Sequence, residues 1–138
     1  MINYFDMQLP QDEIRAISSI GLAHLGDSVY ELLVRSHLCA AGKATGKGLH
    51  RATVALVKAP AQAQMVDLIL PLLTEEEHAV YKRGRNAHVN SIPQNASRTD
   101  YLKATALECL FGWLYLQGQR DRINQLFNQM MEGSGNAL

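Results

Sequence analysis

Thr105 to Leu116 reads TALECLFGWLYL, with one charged residue among eleven that are apolar, small or aromatic. The run shows no strand-like alternation and predicts a helix made for the interior. Its one acid, Glu108, is the problem that the stretch sets. A buried ionised carboxylate is costly unless it is paired, hydrogen-bonded or bound to a metal. On a wheel of ~100° per residue, Glu108 shares its stripe with Tyr101, Ala104, Thr105, Gly112 and Tyr115, small residues with a tyrosine at each end. Small residues let another helix, or a metal and its ligand, come close. Two readings stand on this geometry: a structural glutamate partnered by Tyr101, Tyr115, Lys103 or a nearby arginine, or a functional one.

Helical periodicity extends outward in both directions, and the chain is expected to be all-α, with six or seven helices. A short first helix spans about Asp12 to Ile20, ahead of Gly21. A longer one covers Leu22 to about Ala41, with Leu22, Leu25, Val29, Leu32, Leu33 and Ser36 as its apolar face. AGKATGKG (Ala41 to Gly48) is a glycine-rich basic connector. A third helix ends near Lys58. A fourth starts at Pro60, whose missing N–H matters little in a first turn, and breaks at Pro71. In TEEEHAVYKRGR, Thr74 is the expected N-cap, with acids in the first turn and cations in the last. Arg85 to Arg98 is a long polar loop, and two helices close the chain, over about Thr99 to Gln117 and Arg120 to Met131.

The 138 residues suit one domain, with its core over about residues 9–131, and the thirteen Lys+Arg balance thirteen Asp+Glu. Zero net charge argues against coating nucleic acid by bulk charge, but a basic patch opposite an acidic one sums to the same value. No basic region followed by an apolar run marks a signal peptide, and no segment approaches the ~20 apolar residues that span a bilayer. Cys39 and Cys109 lack any ligand spacing and read as small core residues in a reducing, cytoplasmic setting.

A second acid stands out in LAHLGDSVYELL. Gly26 and Asp27 are both poor helix formers, yet they fall mid-helix, and Asp27 lies on the flank of Ala23, Glu31 and Val34 rather than on the leucine face. Asp27 is either a tolerated surface acid or a carboxylate required in place beside a close-packed neighbour. Together with Glu108 it has a specific chemistry: two carboxylates from different helices can hold a hard divalent cation such as Mg²⁺. His24 lacks a second histidine at ligand spacing and reads as a surface or interface residue. YKRGRNAH (Tyr81 to His88) sets Lys82, Arg83, Arg85, Asn86 and His88 around one glycine. A helix C-terminus explains Lys82 and Arg83; cations continuing into the loop suit phosphate contacts. Lys43, Lys47, His50 and Arg51 form a second basic cluster.

LAHLGDSVYE resembles the signature helix of the ribonuclease III family, where a leucine-glycine-aspartate-serine run carries a metal-binding acid. TALECLFGWLYL resembles that family's second catalytic helix. With YKRGRNAH between them, Leu9 to Met131 is similar to the short bacterial branch, Mini-ribonuclease III. The resemblance implies a ribonuclease III endonuclease-domain-like helical bundle acting as a homodimer on double-stranded RNA. It implies Mg²⁺-dependent hydrolysis leaving 5′-phosphates, in maturation of precursor large-subunit ribosomal RNA; substitution by Mn²⁺ and help from a ribosomal protein stay open as further expectations. Asp27 and Glu108 match the family's catalytic, metal-binding acids, and the loop after Tyr81 its RNA-engaging segment, with Lys43 and Lys47 as weaker RNA contacts. The larger ribonuclease III proteins carry further acids where this chain has Ala23 and Thr105, so one Mg²⁺ per site is expected. A separate double-stranded-RNA-binding domain has no room here. The rival expectation is a non-catalytic RNA- or ribosome-binding module that retains the fold.

Overall fold

The computed structural model describes residues 1–43, 46–87, 92 and 97–138. Among them the chain forms seven α-helices and no strand: α1 (Gln11–Arg15), α2 (Ser19–Ala40), α3 (Leu49–Val57), α4 (Ala59–Ile69), α5 (Glu75–Arg85), α6 (Arg98–Leu116) and α7 (Arg120–Gly133), with a 3-10 turn over Leu70–Leu72 after α4. No helix among the described residues is long and apolar enough to cross a membrane.

Several helix starts follow from local chemistry. Thr74 and Glu77 form a reciprocal capping box at the start of α5. Pro60 sits in the first turn of α4. One boundary differs from the sequence expectation. The helix anticipated up to Ile20 ends at Arg15, and Ser19 and Ile20 belong to α2, because the Ser18 hydroxyl accepts the Gly21 N–H at 3.0 Å and caps the longer helix. Gly21 therefore lies inside a first turn and breaks nothing.

α6 is the central element, and α2, α4, α5 and α7 all pack on it. From Ala104 to Leu114 every residue of α6 is buried except Glu108, which is partly so. Tyr30 of α2 stacks obliquely on Phe111 of α6 and edge-on to Phe127 of α7, each at 6.1 Å between ring centroids. Its hydroxyl donates to the Leu56 carbonyl at 2.8 Å and so ties the end of α3 to α2. An ion pair between partly buried Arg122 and buried Glu77 locks α5 to α7: Arg122 meets both oxygens of Glu77 at 2.8 Å and also donates to the Leu72 carbonyl.

The expected apolar face of α2 is corrected. Leu22 is buried, but Leu25, Val29 and Leu33 are only partly so, Ser36 is exposed, and Leu32 is 58% exposed. The face turned to α6 carries Ala23, Gly26, Tyr30, Val34 and Leu38. Side-chain size decides the difference. Small residues allow the helix axes to approach, and the flank holding Ala23 and Gly26 is therefore the one that docks. A second correction concerns Cys39, which is exposed on the last turn of α2, one position off the buried Leu38; Cys109 is buried, and both thiols are free.

Candidate active site

Two glycines set the site. A Cβ on Gly26 would fall on the carbonyl oxygen of Glu108, and one on Gly112 would fall on the carbonyl oxygen of Leu22. α2 and α6 therefore cross backbone to backbone, glycine against helix on both sides. Glu108 lies one turn before Gly112, and Asp27 directly follows Gly26. The crossing that excludes any side chain from its centre thus forces these two carboxyls to its edge, side by side.

They stand close enough to share a proton, and burial first, Asp27 second, push the Glu108 carboxyl from its ordinary 4.5 up to about 8. Among the described residues no salt bridge reaches Glu108. Lys103, one of the partners considered for it, is paired instead with Asp67 at 2.8 Å. No cation among the described residues compensates the pair; only a hydrogen bond from the Gln62 amide draws the Glu108 carboxyl back down, and burial and Asp27 outweigh it. Asp27 itself is exposed, so the pair opens to solvent on one side. Nearby, burial and then the charge of Glu108 push the ionisation of the Tyr30 hydroxyl far up, which keeps it a neutral donor to Leu56.

One residue here escaped the sequence reading. Gln62 of α4 is 3% exposed and its amide lies beside Glu108. The signal was present: Gln62, Met65, Val66 and Ile69 follow helical spacing, and the last three are core residues.

The hard oxygen character of this set fits a divalent cation such as Mg²⁺, which takes one or two protein carboxylates and keeps several waters. Among the described residues no group of three or more His, Cys, Asp or Glu side chains could hold a metal, so the carboxylate count at this place is two.

The basic candidates separate into two groups. Lys82, Arg83, Arg85 and Asn86 are all exposed, on the last turn of α5 and its cap. Lys82, Arg83 and Asn86 border a shallow depression with Ser19, at the start of α2. Lys43 and Lys47 are exposed beyond the far end of the same helix. α2 has 22 residues, so the two groups lie about 33 Å apart along its axis, with Asp27 between them. His88 lies outside the described residues. The glycine of the basic motif has a packing role: a Cβ on Gly84 would sit 2.7 Å from the Cys109 Cβ, so it lets α5 close on α6.

A sequence profile described as the ribonuclease III domain matches residues 21–119. That span runs from the first turn of α2 past the end of α6 and contains both acids. The chain belongs to the ribonuclease III family. Within it, the similarity is to the Mini-ribonuclease 3 branch. The Mini-ribonuclease 3 of Enterococcus faecalis is 37% identical over 125 residues, covering 89% of this chain and 95% of that protein. The one from Brevibacillus brevis is 46% identical over 108 residues, covering 78% and 81%. An X-ray crystal structure of a Fusobacterium nucleatum protein superposes with a TM-score of 0.79 at 30% identity, covering 88% of this chain and 98% of the other. The family resemblance read from the three motifs and the all-helical ribonuclease III fold are thus both borne out.

Proposed function

We propose that this protein is a Mg²⁺-dependent endoribonuclease that cleaves double-stranded RNA, with Asp27 and Glu108 as its catalytic, metal-holding acids. Family membership makes it a phosphodiester hydrolase acting on RNA. The observation that carries the finer reading is the meeting of two carboxyls at the Gly26/Gly112 crossing with no cation among the described residues paired to Glu108. A scaffold would gain by an apolar residue at position 108, whereas a cation site requires the acid. When bound, the cation would orient water and stabilise charge developing on the scissile phosphate. Asp27 and Glu108 hold it by oxygen. To serve as a ligand Glu108 would have to lose its proton, so cation affinity would rise with pH up to about 8. The neutral Tyr30 hydroxyl, fixed on Leu56, keeps α2 in register behind the site.

Lys82, Arg83, Arg85 and Asn86 grip the RNA backbone at one end of α2, with Lys43 and Lys47 at the other, and we include His88 in the first group. A-form RNA is read by such phosphate and 2′-hydroxyl contacts rather than through its deep major groove. Proteins of this family are generally dimeric, and the partly exposed Leu25, Val29, Leu32 and Leu33 stripe on α2 supports a homodimer here. The same reading extends to maturation of precursor ribosomal RNA in the cytoplasm.

The test is incubation of the purified protein with a labelled RNA duplex in Mg²⁺ and in EDTA. Fragments bearing 5′-phosphates in Mg²⁺ alone are expected. Duplex binding without cleavage at any divalent concentration would instead leave a non-catalytic RNA-binding module.

A further inference from the structure

Gln62 is placed in a way that its packing role does not explain. It projects from α4 into the interior beside Glu108. Its Nε2 donates to the Val57 carbonyl at 2.7 Å, at the end of α3. That bond fixes the amide's orientation, because only the nitrogen side can serve a carbonyl. The Oε1 is thereby turned away from Val57, and it is buried with no hydrogen-bond partner among the described residues. A buried acceptor without a partner costs stability, and each such atom in a folded protein calls for an explanation. Leucine or methionine would fill the same volume without that cost.

The neighbourhood suggests what the acceptor is for. The site holds two carboxylates where a cation such as Mg²⁺ seeks six oxygens and keeps several as water. Water in its hydration shell is a strong donor. The one orphaned amide oxygen of the described residues belongs to a side chain whose amide hydrogen-bonds to Glu108 and draws its carboxyl back down, so it is carried within the immediate surroundings of the two acids. Ala23 and Thr105, both buried on the helices that carry those acids, supply no carboxylate there.

We propose that Gln62 is a positioning residue of this centre: its Oε1 accepts a hydrogen bond from the hydration shell of the cation held by Asp27 and Glu108, while its Nε2 anchors to Val57. The proposal rests on the metal-site reading above. Loss of such a partner around a metal centre lowers metal affinity or activity by about 10- to 100-fold.

The test is Mn²⁺ binding to the RNA-free protein, followed by loss of the free-ion electron paramagnetic resonance signal. Wild type, Gln62→Leu, Gln62→Glu and, as control, Glu108→Gln are compared. Gln62→Leu removes both the oxygen and the Val57 anchor; Gln62→Glu removes the anchor but keeps an oxygen. The expected result is Mn²⁺ affinity lower by about 10-fold or more in Gln62→Leu and at or above wild type in Gln62→Glu. Cleavage should follow the same order in kcat, with KM for the duplex unchanged. A folded Gln62→Leu protein with wild-type Mn²⁺ affinity overturns the proposal. Should Gln62→Leu fail to fold, Gln62→Glu decides: affinity reduced as far as in Glu108→Gln overturns it, and retained affinity upholds it. A wild type that binds no Mn²⁺ overturns the metal-site reading itself, an outcome visible before any Gln62 variant is compared.

Discussion

Replacing Glu108 with glutamine should stabilise the metal-free protein at alkaline pH while removing its chemistry. Folding raises the Glu108 carboxyl from its ordinary 4.5 to about 8, through burial first and the neighbouring Asp27 second. A carboxyl raised on folding holds its proton more tightly in the folded chain than in the unfolded one. Its contribution to stability is therefore complete below about 4.5 and is lost as pH climbs through about 8. At ~1.4 kcal/mol for each pH unit between those values, the ceiling is about 5 kcal/mol. Asp27 is exposed and free to turn towards water, which relieves part of the repulsion and brings the expected gain to about 2–3 kcal/mol. In a chain of 138 residues that is roughly 6–9 °C in Tm. Thermal unfolding followed by circular dichroism in EDTA, at pH 5 and pH 9, makes the comparison. The two proteins should melt alike at pH 5, and Glu108→Gln should melt higher at pH 9. Added Mg²⁺ should then raise wild type and leave the variant unmoved, since only a ligand bound to the folded state adds stability. A variant no more stable than wild type at pH 9 in EDTA would refute the account of an uncompensated buried acid.

Three further outcomes follow from the same geometry. Gly26→Ala places a methyl on the Glu108 carbonyl oxygen and must push α2 from α6, so it should cost about 3 kcal/mol or more in chemical denaturation; a wild-type midpoint would contradict the backbone crossing. Arg122→Leu leaves Glu77 buried and unpaired and should cost about 3 kcal/mol at pH 7. The Arg122 hydrogen bonds, chiefly, hold the Glu77 carboxyl below its usual 4.5, so the difference between the two proteins should be full above that pH and fade as acid protonates Glu77. A pH-independent difference in urea midpoints would show that the pair is not what matters. Converting Lys82 and Arg83 to glutamine should weaken duplex RNA binding and reduce the slope of log affinity against log salt by about one for each phosphate no longer neutralised. An unchanged slope from fluorescence-anisotropy titrations would remove α5 from the interface.

The all-helical fold was legible because the signals that announce it are local: the Thr74 cap, Pro60 in a first turn, and the unbroken apolar run around Glu108. The docking face of α2 was not, because counting leucines measures hydrophobicity and ignores how near two axes can come. Ala23 and Gly26 decided that face, and the sequence did flag Gly26 by setting the Gly-Asp pair mid-helix. Asp27 and Glu108 were legible as misfits, each a residue that its local setting disfavours. Their being side by side was not, since it depends on the Gly26/Gly112 crossing, 86 positions apart in the chain. Gln62 went unnoticed because an amide in a helix is unremarkable until its burial and its idle oxygen are seen. Lys103, one of the partners expected for Glu108, failed for a related reason: it shares the helix but points to Asp67 on α4.

The central claim is that Asp27 and Glu108 together hold the cation that cleaves duplex RNA. Its most direct test is cleavage of a labelled duplex in Mg²⁺ by wild type, Asp27→Asn and Glu108→Gln, with duplex binding measured on the same preparations. Cleavage by wild type alone, with binding retained in all three, is the predicted result. Undiminished cleavage by either pure variant would contradict it.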